Sequence, residues 1–112
     1  MIVFVSYSRL DNNEERLREL ELQLGDLGEV YIDDLHHSAN DDRESEVHRA
    51  LDSAAVFVSI LSEHYLKTAW TSKELKVAKR RGIPIYSLLP DGNLRAIPAD
   101  EIVRQGLDEG PG

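Results

Sequence analysis

Trp70 and Glu74, four residues apart in the run AWTSKEL, are the pair in this chain best placed to do chemistry. Residues at i and i+4 share one helix face, so an indole wall and a carboxylate can line the same cleft. A carboxylate held beside a carbon that develops positive charge stabilises it, and an aromatic face can stack on a cationic ring. The same stretch allows a purely structural role. Thr71-Ser-Lys-Glu74 has the spacing of a capping box, in which Glu74 would bond back to the helix start. Further polar candidates follow apolar runs: Tyr7, Ser8 and Arg9 after the first, Asp33 after the second and Tyr65 after the third. Asp11 and Asp33 are equally good turn or cap residues. His36-His37 suggests a metal, but adjacent positions with no third ligand at a recognisable spacing do not make a site, and none is expected.

Something must hold these residues at one place. Ile2–Ser6 (IVFVS) is a short β-branched run that predicts a buried strand, with Asn12 or Asn13 capping the helix after it. Leu17, Leu20, Leu24 and Leu27 recur at three and four residues and mark one apolar helix stripe. Glu29–Asp33 alternates as a second strand, and 34–42 is polar and aperiodic, which predicts an exposed loop. Val47, Ala50, Leu51 and Ala54 give a second helical stripe. Ala55–Leu61 is the most apolar run and predicts a central strand covered on both faces. A helix from about Thr71 to Arg81 stops at Gly82, before a fourth strand at Ile83–Leu89 whose Pro84 favours a sheet edge.

Strand and helix alternate, so the expected fold is a flavodoxin-like α/β three-layer domain. Its parallel sheet has order 2-1-3-4, with a fifth strand only if one hides after Pro90. Residues 1–105 form the domain; Ile97–Gln105 fits an amphipathic helix with Pro98 in its first turn, and 106–112 reads as a flexible tail. An exposed fourth-strand edge would invite pairing with another copy. In such sheets ligands sit beyond the carboxyl ends of the central strands, where Tyr7–Asp11, Asp33–Asn40 and Ser62–Trp70 lie.

Composition narrows the function classes. The 112 residues include no cysteine, which excludes thiolate chemistry and disulfides. Residues 1–63 carry 15 acids and 5 bases, whereas 64–112 carry 6 acids and 8 bases. An acidic front half argues against nonspecific nucleic-acid binding, which needs a basic footprint. The four-residue apolar run at the N-terminus is too short for a leader or a membrane span, so a cytoplasmic protein with no membrane partner is expected.

Three boxes then carry a resemblance. VFVSYSRLDN is similar to the opening strand and polar turn of TIR (Toll/interleukin-1 receptor) domains. VYIDD with its polar loop resembles their second strand and BB loop. AVFVSILSEHYLKTAWTSKEL resembles their third strand and following helix, with Ser62, Tyr65, Trp70, Glu74 and Leu75 at the family's spacing, and IPIYSLLP resembles the fourth strand. The resemblance covers about residues 2–90. It implies an NAD-cleaving enzyme, a glycohydrolase or cyclase releasing nicotinamide, in settings such as prokaryotic immune signalling or anti-phage defence. Glu74 would be the catalytic carboxylate and Trp70 the ring wall. Tyr7, Ser8, Arg9, Asp33 and Tyr65 would contact the substrate, with Arg9 meeting a phosphate. NAD would be substrate rather than cofactor, and self-association through TIR–TIR contacts is implied. The BB-loop segment LHHSANDDRE lacks the Gly or Pro often found there. Two alternatives stay open: a non-catalytic interaction module, and a nucleoside deoxyribosyltransferase-like enzyme sharing the sheet order and a cleft glutamate.

Overall fold

The computed structural model describes residues 1–36, 43–67, 69–89, 91–98 and 100–102, with the side chains of residues 36, 43, 66, 69 and 70 outside that description. Five strands form one sheet: β1 (Ile2–Ser6), β2 (Glu29–Tyr31), β3 (Ala54–Ile60), β4 (Ile85–Leu88) and β5 (Leu94–Ala96). Their order is β2-β1-β3-β4-β5; the first four run parallel and β5 is antiparallel to β4. Helices α1 (Glu14–Leu24), α2 (Asp33–His36), α3 (Arg43–Ser53) and α4 (Ala69–Arg81) complete it. This is the flavodoxin-like α/β arrangement expected.

Period-two alternation along β1 and β3 splits the core into two layers. Phe4 and Phe57 face α3 and α4 with Val47, Leu51, Tyr65, Leu75 and Ala78. Val3, Val5 and Val58 face α1, whose Leu17, Leu20 and Leu24 are all buried. The Phe4 and Phe57 rings stack at 5.7 Å across the paired strands, and burying each such side chain contributes roughly 1.5–3 kcal/mol. Asn13 caps α1, its side chain accepting from the Arg16 N–H at 2.8 Å. At the other end of α4, Gly82 takes φ 71° and its N–H reaches the Ala78 and Lys79 carbonyls, both at 3.1 Å. Glycine tolerates that left-handed turn and so ends the helix. Arg81 Nη1 donates to the Leu51 and Ala54 carbonyls at 2.5 and 2.9 Å, tying α4 to the junction of α3 and β3.

Four differences from the sequence reading have physical causes. The second strand ends at Tyr31, and Asp33–His36 turns into α2 instead of extending the strand or forming an irregular loop. The β4 strand begins at Ile85, after Pro84, whose carbonyl accepts from Phe57 N–H at 2.9 Å. Pro84 therefore precedes an interior strand; its missing donor is tolerated because it lies before the ladder. A fifth strand does follow Pro90 and covers the edge that β4 was expected to expose. Ile97 and Ile102 are buried, and Ile102 N–H donates to the Pro98 carbonyl at 3.1 Å, the start of the expected C-terminal helix. The expected tail, 106–112, lies outside the described residues.

Candidate functional site

The parallel register of β1, β3 and β4 sets three serines side by side: Ser6 pairs with Ser59, and Ser59 with Ser87. All three are 0–1 % exposed, and the Ser59 and Ser87 hydroxyls lie 2.7 Å apart. A polar row thus crosses the carboxyl end of an otherwise apolar sheet, on the face that carries α4. Buried hydroxyls need partners, and Ser6 finds two. Its hydroxyl accepts from the Tyr65 phenol at 2.8 Å and donates to Glu74 Oε1 at 2.9 Å. Glu74, only 6 % exposed, is therefore held from within the fold. Burial pushes the Tyr65 phenol far above its ordinary range against the pull of the Ser6 hydrogen bond, and the Glu74 charge adds to the rise. Tyr65 stays a neutral donor.

This arrangement replaces the capping box. Thr71 lies inside α4, which starts at Ala69, and its hydroxyl donates to the Tyr65 carbonyl. Glu74 turns to Ser6, 68 residues away in sequence.

In front of Glu74 a cleft of about 130 Å³ opens, lined by Tyr7, Ser8, Arg9, Asp33, Thr71 and Glu74, with Val5 and Leu10 as its apolar walls. Its outer end is charged. The Arg9 guanidinium pairs with Asp33 and, through Nε at 3.4 Å, with Asp34. The Tyr7 hydroxyl donates to Asp34 Oδ2 at 2.6 Å and accepts from the Asp34 N–H at 3.0 Å. Burial and the Asp34 carboxylate both push the Tyr7 phenol up. Partial burial works against the Arg9 charge, but Asp34 and Asp33 outweigh it and raise its pKa.

A third cluster pins the loops beside the cleft. Asp11 Oδ2 accepts from the Ser62 hydroxyl at 2.5 Å and the His64 N–H at 2.7 Å, and His64 Nδ1 lies 2.6 Å from Oδ1. Burial alone would raise the Asp11 carboxyl, yet the His64 and Ser62 hydrogen bonds bring it down to about 2. Asp11, Glu63 and His64 also offer ligand atoms within 4.8 Å of one another. The Asp11 oxygens and His64 Nδ1 are already spent on this clasp, so the set does not read as a metal centre.

The structure brings Tyr7, Ser8, Arg9, Asp33 and Glu74 to one cleft. Tyr65 differs from expectation: it is 1 % exposed and supports Glu74 through Ser6 instead of facing a ligand, because its ring belongs to the α3–α4 core. Trp70 falls in the first turn of α4, and its side chain lies outside the described residues. Arg9 faces two carboxylates, not an open anion site. Ser6 and Asp34 went unrecognised in the sequence. Ser6 is a small polar residue ending a strand, and only the alignment of β1 with β3 and β4 signals its role. Asp34 falls in the polar stretch that predicts a loop; the helical turn α2 aims it at Tyr7.

Residues 3–105 match the protein family described as TIR domain. No curated protein matches the chain. Among solved structures, a conserved protein from Enterococcus faecalis V583 is similar at a TM-score of 0.62 and 18 % identity, over 99 % of this chain and 76 % of that one. At that identity the likeness speaks to the fold.

Proposed function

The chain belongs to the TIR domain family, and from that premise we propose that it cleaves the nicotinamide–ribose bond of NAD, with Glu74 as the catalytic carboxylate. The observation that carries this reading is the Ser6–Glu74 hydrogen bond, which holds a buried carboxylate at the floor of the cleft, at the end of a row of buried hydroxyls. The C–N bond breaks with its electron pair leaving on the ring nitrogen, so the cationic pyridinium departs as neutral nicotinamide. Positive charge then builds on the anomeric carbon and ring oxygen of the ribose. A fixed carboxylate stabilises such an oxocarbenium-like transition state, as in glycoside hydrolysis. Attack by water forms the new C–O bond and releases a proton, giving ADP-ribose; attack by an adenine nitrogen gives a cyclised isomer. Ser6 and Tyr65 are positioning residues that hold Oε1 in place.

The family contains both NAD-cleaving enzymes and signalling adaptors, and its members commonly self-associate, so the test uses concentrated protein. Nicotinamide release from NAD is followed for the natural chain and for Glu74→Gln, which preserves shape while removing charge. Loss of turnover by about a hundred- to a thousandfold is expected. Equal turnover in the two proteins overturns the assignment of Glu74, and none in either favours the adaptor role.

A further inference from the structure

The row of buried hydroxyls beneath the cleft runs further than the group that touches Glu74. Each serine or tyrosine hydroxyl has one proton to donate, so the direction of the row is fixed from its end backwards. Ser6 spends its proton on Glu74 Oε1 at 2.9 Å, and so accepts from Tyr65 at 2.8 Å. Tyr65 then has no proton left, and its hydrogen bond with Ser59 must be donated by Ser59. The other acceptor near Ser59, the Tyr86 carbonyl, lies at 3.4 Å, long for an O–H···O bond. With its proton on Tyr65, Ser59 accepts from Ser87 at 2.7 Å. Every donor from Ser87 to Ser6 thus points toward the carboxylate, across three strands and through residues that are 0–1 % exposed. In a low-dielectric interior such donors polarise one another, and the charged form of the final acceptor gains.

We propose that Ser59 and Ser87, neither of which lines the cleft, are positioning residues that act through Tyr65 and Ser6 to keep the buried Glu74 ionised. The sheet thereby sets the pH range in which the cleft works. The inference rests on the glycosidic reading of Glu74, in which the carboxylate, not the neutral acid, stabilises positive charge on the ribose. Burial by itself favours the neutral acid, so the donors of the row oppose it. Among the described residues, other titratable groups around Glu74 lie on several elements. Tyr7, Arg9 and Asp33 share the cleft with it, and His48 of α3 and Lys73 of α4 share a second, narrower groove. None of these groups belongs to the row, so removing a serine hydroxyl leaves their charges in place.

The test follows the side-chain carboxyl carbon of Glu74 by NMR across pH, and nicotinamide release from NAD over the same range. Losing a donor to the charged form raises the titration midpoint, so the acid limb of the activity profile moves to higher pH. Ser6→Ala is expected to raise both by about one pH unit, Ser59→Ala by roughly 0.3–0.5 and Ser87→Ala by less. The loss of turnover in Ser59→Ala is then concentrated at low pH, whereas a merely structural defect lowers turnover equally at every pH. Ser87→Ala, at the far end of the row, carries the test if Ser59→Ala does not fold. A midpoint that stays in place in the serine variants of β3 and β4 overturns the inference and leaves the reading of Glu74 standing on Glu74→Gln. Midpoints that move as expected, with no nicotinamide released at any pH, overturn the catalytic reading instead and uphold the action of the row on Glu74.

Discussion

At its inner end the cleft stands on strand residues: Ser6, Ser59 and Ser87 are almost wholly buried, and the Ser6 hydroxyl donates to Glu74 while those of Ser59 and Ser87 bond each other. At its outer end Tyr7, Arg9, Asp33 and Asp34 form a charged cluster on the segments beyond β1 and β2, with half of the Arg9 side chain exposed. The inner end draws its precision from a sheet register that cannot slip without turning every core residue to the wrong face. The outer end draws its geometry from ion pairs in reach of water, where salt weakens them. One cleft thus combines a rigid floor beneath a buried carboxylate with a softer, charged mouth.

Four experiments break or sharpen that contrast. The largest effect belongs to Glu74→Gln, whose loss of nicotinamide release by about two to three orders of magnitude should come without a large fall in thermal stability. Ser6→Ala comes next. It removes the hub between Tyr65 and Glu74 and should cost roughly 1–3 kcal/mol in chemical denaturation, because buried polar groups lose a partner, and it should lower turnover as well. Arg9→Gln tests the outer end; Arg9 is half exposed but its partner Asp33 is buried, so a cost of about 1 kcal/mol is expected that shrinks in concentrated salt, whereas the Ser6→Ala cost should not. The last effect is a pH dependence. The Asp11 carboxyl is held at about 2, below its ordinary 3.8. A depressed carboxylate stabilises the fold above its unfolded value, and that contribution disappears as pH falls through the folded one. The stability difference between the natural chain and Asp11→Asn should therefore be fully present above about pH 4 and vanish toward pH 2.

How much of this was legible in the sequence follows from the range of the forces involved. The long apolar runs of β1 and β3 and the leucine stripe of α1 are local patterns, and strand order follows from crossover rules once the alternation is seen. Glu74 was legible by resemblance, together with a local capping alternative that only the position of Thr71 inside α4 removes. The serine row was not legible, since it exists only when three distant strands are aligned. Leu94–Ala96 is too short for alternation to register, and its partner Leu88 is what makes it a strand. Asp33 reads as the end of the second strand and Asp34 as loop, because a four-residue helix has almost no periodicity to read.

The two border strands of the sheet are each three residues long, Glu29–Tyr31 on one side and Leu94–Ala96 on the other, and the second runs against its neighbour. A further chain docking strand-to-strand would find only a few open backbone positions at either border, too few for cross-β stacking to propagate. Growth of the sheet from one copy to the next is therefore disfavoured at both borders, and the ladder stays an intramolecular one.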